Sequence, residues 1–482
     1  MTLPHVPHRR TINIFILAMF SMSVVISLRN LPLTSTYGLS SLFFYMAAAL
    51  VFMIPYALVS AELASGWPKA GGIYVWVREA LGERWGFFAI WMQWFHNMTW
   101  YPAMLAFSGA GLAYIFAPSL SLNRVYLTAV VFFGFWGVTF LNFLGIKFSA
   151  WVSTLCLLLG TIIPGVLLVA FAITWIVQGN PMQIQLDAAH LLPEFHTSNL
   201  VFLAGIFLAL SGLEVNANLA RDVKNPQKNF PRAIFIAALF TLAILILGSL
   251  AIAMVIPKNE ISLVTSLLEA FDKFLNLFHL SWLMPVTALC IVLGALGELN
   301  AWAIAGIRGL FVTTEHGSLP PFFHKLNKHQ VPTRLLIFQA LVVSVTAFIF
   351  VFLPNINTSY WILSAISAQM YIIMYILLFI AGIVLRYKKP SVHRIYRIPY
   401  KNVGMWIAVI LGLSSSCFAL FFSFFLPKEF AMGSSIFVYE TIIIAGLVVS
   451  CLIPLLIYKF RKPHWQARVL IDIREEIHKS VH

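Results

Sequence analysis

Twelve apolar runs of about 20 residues, joined by short polar connections, leave this 482-residue chain few folds to choose from. A helix of that length crosses the roughly 30 Å hydrocarbon core of a bilayer. In that core no water satisfies backbone N–H and C=O groups, so only helices and closed barrels are viable. The runs lie near 11–35, 39–63, 86–116, 125–145, 149–177, 199–220, 233–256, 281–310, 335–353, 360–385, 403–426 and 436–458. Hydrophobic residues make up 60% of the chain and charged residues 10%, against about 45–50% and 25% in soluble domains. The sequence therefore predicts an all-α polytopic membrane protein with twelve transmembrane helices. Residues 1–10 form a short N-terminus, 11–458 the membrane domain, and 459–482 a basic tail whose stretch 469–478 has the pattern of an amphipathic surface helix.

Lysine and arginine placement sets the expected orientation, because cytoplasmic loops retain an excess of both. With the N-terminus inside, 25 of the 31 fall on the cytoplasmic side; Arg124, Lys258, Lys273 and Lys428 fall outside, and Arg29 and Arg308 lie within runs. Both termini are thus expected in the cytoplasm, and Arg308, near the end of its run, is expected to snorkel. The net charge of +14 is spread over juxtamembrane loops and the tail. Topology and anionic lipid headgroups account for it, and no nucleic-acid partner is implied. Cys156, Cys290, Cys417 and Cys451 lie in apolar runs without metal-ligand or redox spacing, and the first run is too long for a cleavable signal.

Two runs are interrupted. The first carries SLRNLP at 27–32, where the charge of Arg29 sits beside Asn30 and helix-weakening Pro32. A charge in hydrocarbon costs about 2.5–3.5 kcal/mol on insertion scales, so it marks a solute path or a partner. The sixth carries LALSGLEVNAN at 208–218, with Gly212 and the ionisable Glu214 at its middle. Paired breaks five runs apart point to a five-plus-five inverted repeat with the solute site at the breaks. Freed N–H groups there suit a carboxylate and freed carbonyls an ammonium.

Residues 55–87, PYALVSAELASGWPKAGGIYVWVREALGERWGF, resemble the signature of the amino acid, polyamine and organocation transporter superfamily. More narrowly, GLEVNANLARDVKNPQKNFPRA at 212–233, the segment 293–332 beginning LGALGELNAWAIAGIRG, and AQMYIIMYILLFIAGIVL at 368–385 resemble the bacterial glutamate/GABA antiporters. The resemblance implies a LeuT-like inverted-repeat core of ten helices plus two more, a bacterial inner-membrane location, and alternating access around a central amino-acid site. Carried over position by position, it implicates Glu214, Glu298, Trp302, Tyr371 and Tyr375 in substrate handling, alongside Arg29, Asn30 and Gly212 at the breaks. Tyr371 and Tyr375, like Glu298 and Trp302, stand four apart and share a helix face.

Each of these residues also has a plainer reading. The two glutamates could pair structurally with Arg29 or Arg308, and the aromatic side chains could be bundle packing. Glu62 is structural or gating. His96, in QWFHNMTWYP, is either a titratable switch or a satisfied buried histidine. The chain departs from the antiporters by carrying Arg29, Asn30 and Leu31 where they carry an aromatic-rich, acid-containing break. That guanidinium would bind a carboxylate, neutralise Glu214, or gate. Some proton-coupled members of the superfamily that it resembles place a lysine in the fifth span where sodium-coupled ones bind an ion; here no lysine falls between Lys147 and Lys224, and the resemblance thereby disfavours cation symport.

Metalloprotease, hydrolase and phosphate-loop motifs are absent, so no enzyme and no cofactor is expected. The expected function is amino-acid antiport of the glutamate/GABA-exchanger type, acting on acidic or neutral amino acids. The alternatives are a proton-coupled amino-acid or polyamine importer and, more remotely, an amino-acid sensor.

Overall fold

A computed structural model describes residues 13–69, 71–185, 187–193, 200–201, 203–215, 223–353, 355–425 and 436–465. The predicted surface helix at 469–478 and residues 1–10 lie outside them. Among the described residues the elements are all helical. The first run is α1 (Ile14–Val25) and α2 (Leu31–Ser35). Helix α3 joins Ser41–Ala48 to Ile54–Gly66 through a π-turn at Ala49–Met53. Then come α4 (Ile73–Leu81), α5 (Glu83–Phe116) and α6 (Arg124–Phe143). Helix α7 joins Ile146–Leu157 to Ile163–Val177 through a second π-turn, Leu158–Ile162. The rest are α8 (Leu203–Ala209), α9 (Pro226–Val255), α10 (Ser266–Leu277), α11 (Met284–Glu315), α12 (Thr333–Ala347), α13 (Ile356–Lys388), α14 (Lys401–Phe422) and α15 (Ile436–Lys459).

Among the described residues, ten helical stretches are long and apolar enough to cross a membrane. The third run is the 34-residue α5, whose apolar character is diluted by Gln93, His96, Asn97 and Thr99, all buried. In the sixth, the described apolar helical stretch is Leu203–Val215. The sequence leaves 257–280 as a connection, but α10 folds there. Its pattern is amphipathic instead of uniformly apolar: Thr265 and Ser266 donate to Glu269, and Leu267, Leu268, Phe271 and Phe274 are buried.

Proline in a membrane helix frees the carbonyl four residues earlier, and a neighbour must satisfy it. Pro102 frees the Met98 carbonyl, which accepts from Thr346 Oγ1 of α12 at 2.8 Å. Pro55 frees that of Val51, which accepts from Ser415 Oγ of α14 at 2.9 Å. At the second π-turn the backbone itself is in contact. A Cβ on Gly160 would lie 2.1 Å from Gly294 N and 2.2 Å from Cys290 O, so only glycine lets α7 rest on α11.

Ion pairs gather at one end of the bundle. Buried Glu62, near the end of α3, accepts from Arg386 of α13 and from Ile398 N at 2.9 Å, and Arg394 Nε lies 3.6 Å from it. Lys389 donates to Glu79 on α4, and this hydrogen bond, the largest influence there, holds the Glu79 carboxyl below its ordinary range. Arg461 pairs with Glu83 at 2.8 Å.

Breaking one side of a buried ion pair costs about 3–5 kcal/mol, because the remaining charge stays buried. Arg386→Ala should therefore lower the thermal midpoint of the purified protein strongly. Glu62→Gln should lower it as well, since Arg386 and Arg394 then both lose their buried counter-charge even though a neutral amide still accepts from Ile398 N. Equal midpoints for both variants and the parent would show that the cluster contributes no stability.

Candidate functional site

The two interrupted runs meet. Helix α1 ends at Val25, and Ile26 (φ −77°, ψ 108°) and Ser27 (φ −126°, ψ 115°) are extended before a single turn, Leu28–Asn30, leads into α2. Pro32 sits in the first turn of α2, where its missing N–H costs nothing. The sixth run opens at Ser211 and Gly212, the latter at φ +118°, a conformation that glycine adopts freely. A Cβ on Gly212 would come within 3.1 Å of the Trp302 ring and 3.3 Å of Val24 and Val25, so the breaks touch through it.

Polar tips of aromatic side chains satisfy the freed backbone. Trp302 Nε1 on α11 donates to Val24 O at 2.9 Å. The Tyr56 hydroxyl on α3 donates to Leu210 O at 2.6 Å. The Tyr375 hydroxyl on α13 accepts from Gly212 N at 2.9 Å and donates to Glu214 Oε2 at 2.6 Å. Tyr371, one turn earlier, donates to Glu214 Oε1 at 2.5 Å, and Gln93 Nε2 on α5 donates to the same oxygen at 3.0 Å. All three partners of Glu214 donate, so its carboxylate is used as an acceptor on both oxygens.

Aromatic rings wall this centre. His96 stacks on Tyr371 with centroids 4.1 Å apart and meets the Trp302 edge at 5.3 Å. Its Nδ1 is 3.1 Å from Ser367 Oγ, while its Nε2 is buried without a hydrogen bond among the described residues. Beneath them, Phe52 from the first π-turn stacks on Phe207 at 4.3 Å and meets Tyr375 at 5.0 Å.

Arg29 is 3% exposed, and its Nε and Nη1 have no hydrogen-bond partner among the described residues. Its guanidinium carbon lies 5.3 Å from the Trp100 centroid and 5.2 Å from that of Tyr360. Trp100 in turn lies 6.1 Å from Trp302, linking the two parts of the site. Among the described residues, neither Glu214 nor Glu298 lies within ion-pair distance of Arg29. Glu298 is buried on α11 and faces Ser27 and Arg29. Arg29 and half-buried Asn30 line a cavity of about 10 Å³ with Tyr360, Trp361 and Ser364. It holds roughly one water, so a larger solute reaches Arg29 only if helices move.

The structure thus gathers Gly212, Glu214, Trp302, Tyr371, Tyr375 and His96 into one cluster, with Arg29, Asn30 and Glu298 beside it. Glu62 stands apart, in the ion-pair cluster at the bundle end. Sequence reasoning missed Gln93, Tyr56, Trp100 and Tyr360. Gln93, His96 and Trp100 recur at three and four residues, a stripe along α5 that could have revealed them. Tyr56 and Tyr360 carry no such signal. Among the described residues no group of histidine, cysteine or carboxylate side chains could hold a metal ion.

The amino acid permease profile matches residues 12–448, a stretch that includes both breaks. An uncharacterized transporter of Legionella pneumophila is 40% identical over 457 residues, 95% of this chain and 97% of its own. A glutamate/gamma-aminobutyrate antiporter of Lactococcus lactis is 31% identical over 459 residues, 94% and 91% of the two chains. The serine/threonine exchanger SteT of Bacillus subtilis is 28% identical over 371 residues, 75% and 78% of the two chains. With a polytopic helical bundle, two broken helices in contact and matches along nearly its whole length, the chain belongs to the amino acid permease family, a family of transporters and not of enzymes.

Proposed function

We propose that this protein is an amino-acid exchanger that works by alternating access, with its site between the two helix breaks. The reading takes twelve spans, a five-plus-five inverted-repeat core, both termini in the cytoplasm, and a bacterial inner membrane. The observation that carries it is the contrast between the two buried charges. Glu214 has donors on both oxygens, whereas Arg29 has two nitrogens without acceptors.

Rings at 5.2 and 5.3 Å offer a guanidinium about 0.5–2 kcal/mol. Burial of a charge costs several kcal/mol. The remainder is what a carboxylate from the solute would supply through paired, charge-assisted hydrogen bonds. This favours substrate carboxylate binding over neutralisation of Glu214. The similarity to a glutamate/gamma-aminobutyrate antiporter points the same way. Polyamine transporters are also among the relatives, one from rice at 27% identity, but a cationic solute would meet the Arg29 charge.

Counterflow in proteoliposomes tests the proposal. Vesicles preloaded with one amino acid, with GABA or with a polyamine are offered labelled glutamate, glutamine, arginine and leucine at acidic and neutral pH. Uptake that needs an internal amino acid and ignores an imposed proton gradient is the expected result. Uptake into empty vesicles that follows the gradient would make the protein a proton-coupled importer.

Two substitutions probe the site in the same assay. Glu214→Gln should cut exchange by roughly 5- to 150-fold, the equivalent of about 1–3 kcal/mol for a disturbed buried hydrogen-bond set; an unchanged rate and affinity would place the site elsewhere. Arg29→Ala should weaken acidic substrates by about 10-fold or more, in line with about 1.5–3 kcal/mol for a charged hydrogen bond, and neutral ones much less. Equal losses across the panel would assign Arg29 a structural role.

A further inference from the structure

On the outer surface of the bundle, α1, α7 and α9 enclose a groove of about 760 Å³ whose lining is apolar almost throughout. Its volume falls in the range of about 300–1,000 Å³ typical of ligand pockets. Phe15, Val166 and Phe240 are 70%, 57% and 53% exposed along it, while Met22 and Ile26 form part of its inner wall. Ile26 is itself a residue of the first helix break. The groove therefore backs directly onto the backbone that carries Arg29.

The apolar lining on α9 continues into charge. Ile236, Phe240 and Ile244 line the groove at four-residue intervals, and the same spacing run backward reaches Arg232 and Lys228. Both are exposed, and among the described residues neither makes an ion pair. Side chains four apart are neighbours on a helix surface, so Arg232 stands next to Ile236 and Lys228 next to Arg232 beyond the groove's end, and their long stems snorkel toward the membrane surface. A cationic end above an apolar slot complements a lipid with an anionic headgroup and a long hydrocarbon chain.

We propose that this groove is a binding site for an anionic phospholipid, with one acyl chain between α1, α7 and α9 and the phosphate at Arg232 and Lys228. A chain seated there fills the space behind α1 and steadies that half-helix against α7 and α9. The site is separate from the solute cluster and does not depend on what the protein carries.

The test uses the purified full chain in detergent, with thermal midpoint and retained lipid by native mass spectrometry as readouts. Phosphatidylglycerol, phosphatidylcholine of the same chain length, and chain-free glycerol phosphate are added in turn. Phosphatidylglycerol should raise the midpoint by several degrees more than phosphatidylcholine, and glycerol phosphate should do nothing. The double variant Lys228→Gln, Arg232→Gln should reduce the phosphatidylglycerol gain to the phosphatidylcholine level. Ala243→Trp, which fills the groove from α9, should remove the gain from both lipids; Val166→Trp fills it from α7 and answers the same question should the first variant not fold. Equal gains from the two lipids in the parent, a shift with glycerol phosphate alone, or a full response in the groove-filled protein would overturn the proposal.

Discussion

Everything at the centre of this molecule follows from the need to satisfy backbone groups that two broken helices leave open within a membrane. An unsatisfied amide or carbonyl in hydrocarbon costs several kcal/mol. Trp302, Tyr56 and Tyr375 meet that need from three different helices, at Val24 O, Leu210 O and Gly212 N. Each uses a side chain with an apolar body and one polar tip, which packs against hydrocarbon while reaching the chain. The breaks are stable because aromatic residues hold them open, and that same arrangement forms the walls of the site.

The prolines of α3 and α5 obey the same rule away from the two breaks. Met98 O and Val51 O find hydroxyls on α12 and α14. The π-turn at Leu158–Ile162 instead brings backbone against backbone at Gly160 and Gly294. Helices that would otherwise slide in lipid are thereby fixed in register by pairings specific to one arrangement.

The buried charges divide by how well they are served. Glu62 at the bundle end has Arg386 and a backbone amide, and Glu214 has two tyrosines and a glutamine. Arg29 has two aromatic faces. Glu62 and Glu214 have hydrogen-bond partners on both oxygens, whereas Arg29 Nε and Nη1 have none among the described residues, which is the basis of the proposed substrate carboxylate contact. The first break therefore differs in kind from the second, although both interrupt their helices in the same way.

The sequence by itself determined the class of fold, because runs long enough to cross a bilayer and poor in charge have no other stable solution. It also determined where two of those runs open: Pro32, Gly212 and the polar residues around them act through local backbone chemistry, which needs no partner to be read. The amphipathic α10 escaped because uniform apolarity was the signal followed, and α10 alternates its faces. Which side chains close the site was decided only by tertiary structure. Tyr371 is 157 residues from Glu214, Gln93 is 121, and Trp302 is 278 from Val24. The azimuth of each helix, set by packing against its neighbours, brings them together. Likewise Arg29 was readable as a buried charge, but that it lies against the Trp100 and Tyr360 rings, with Glu298 facing it beyond ion-pair distance, is a fact of packing, because apolar runs of nearly uniform composition carry little record of which face turns inward.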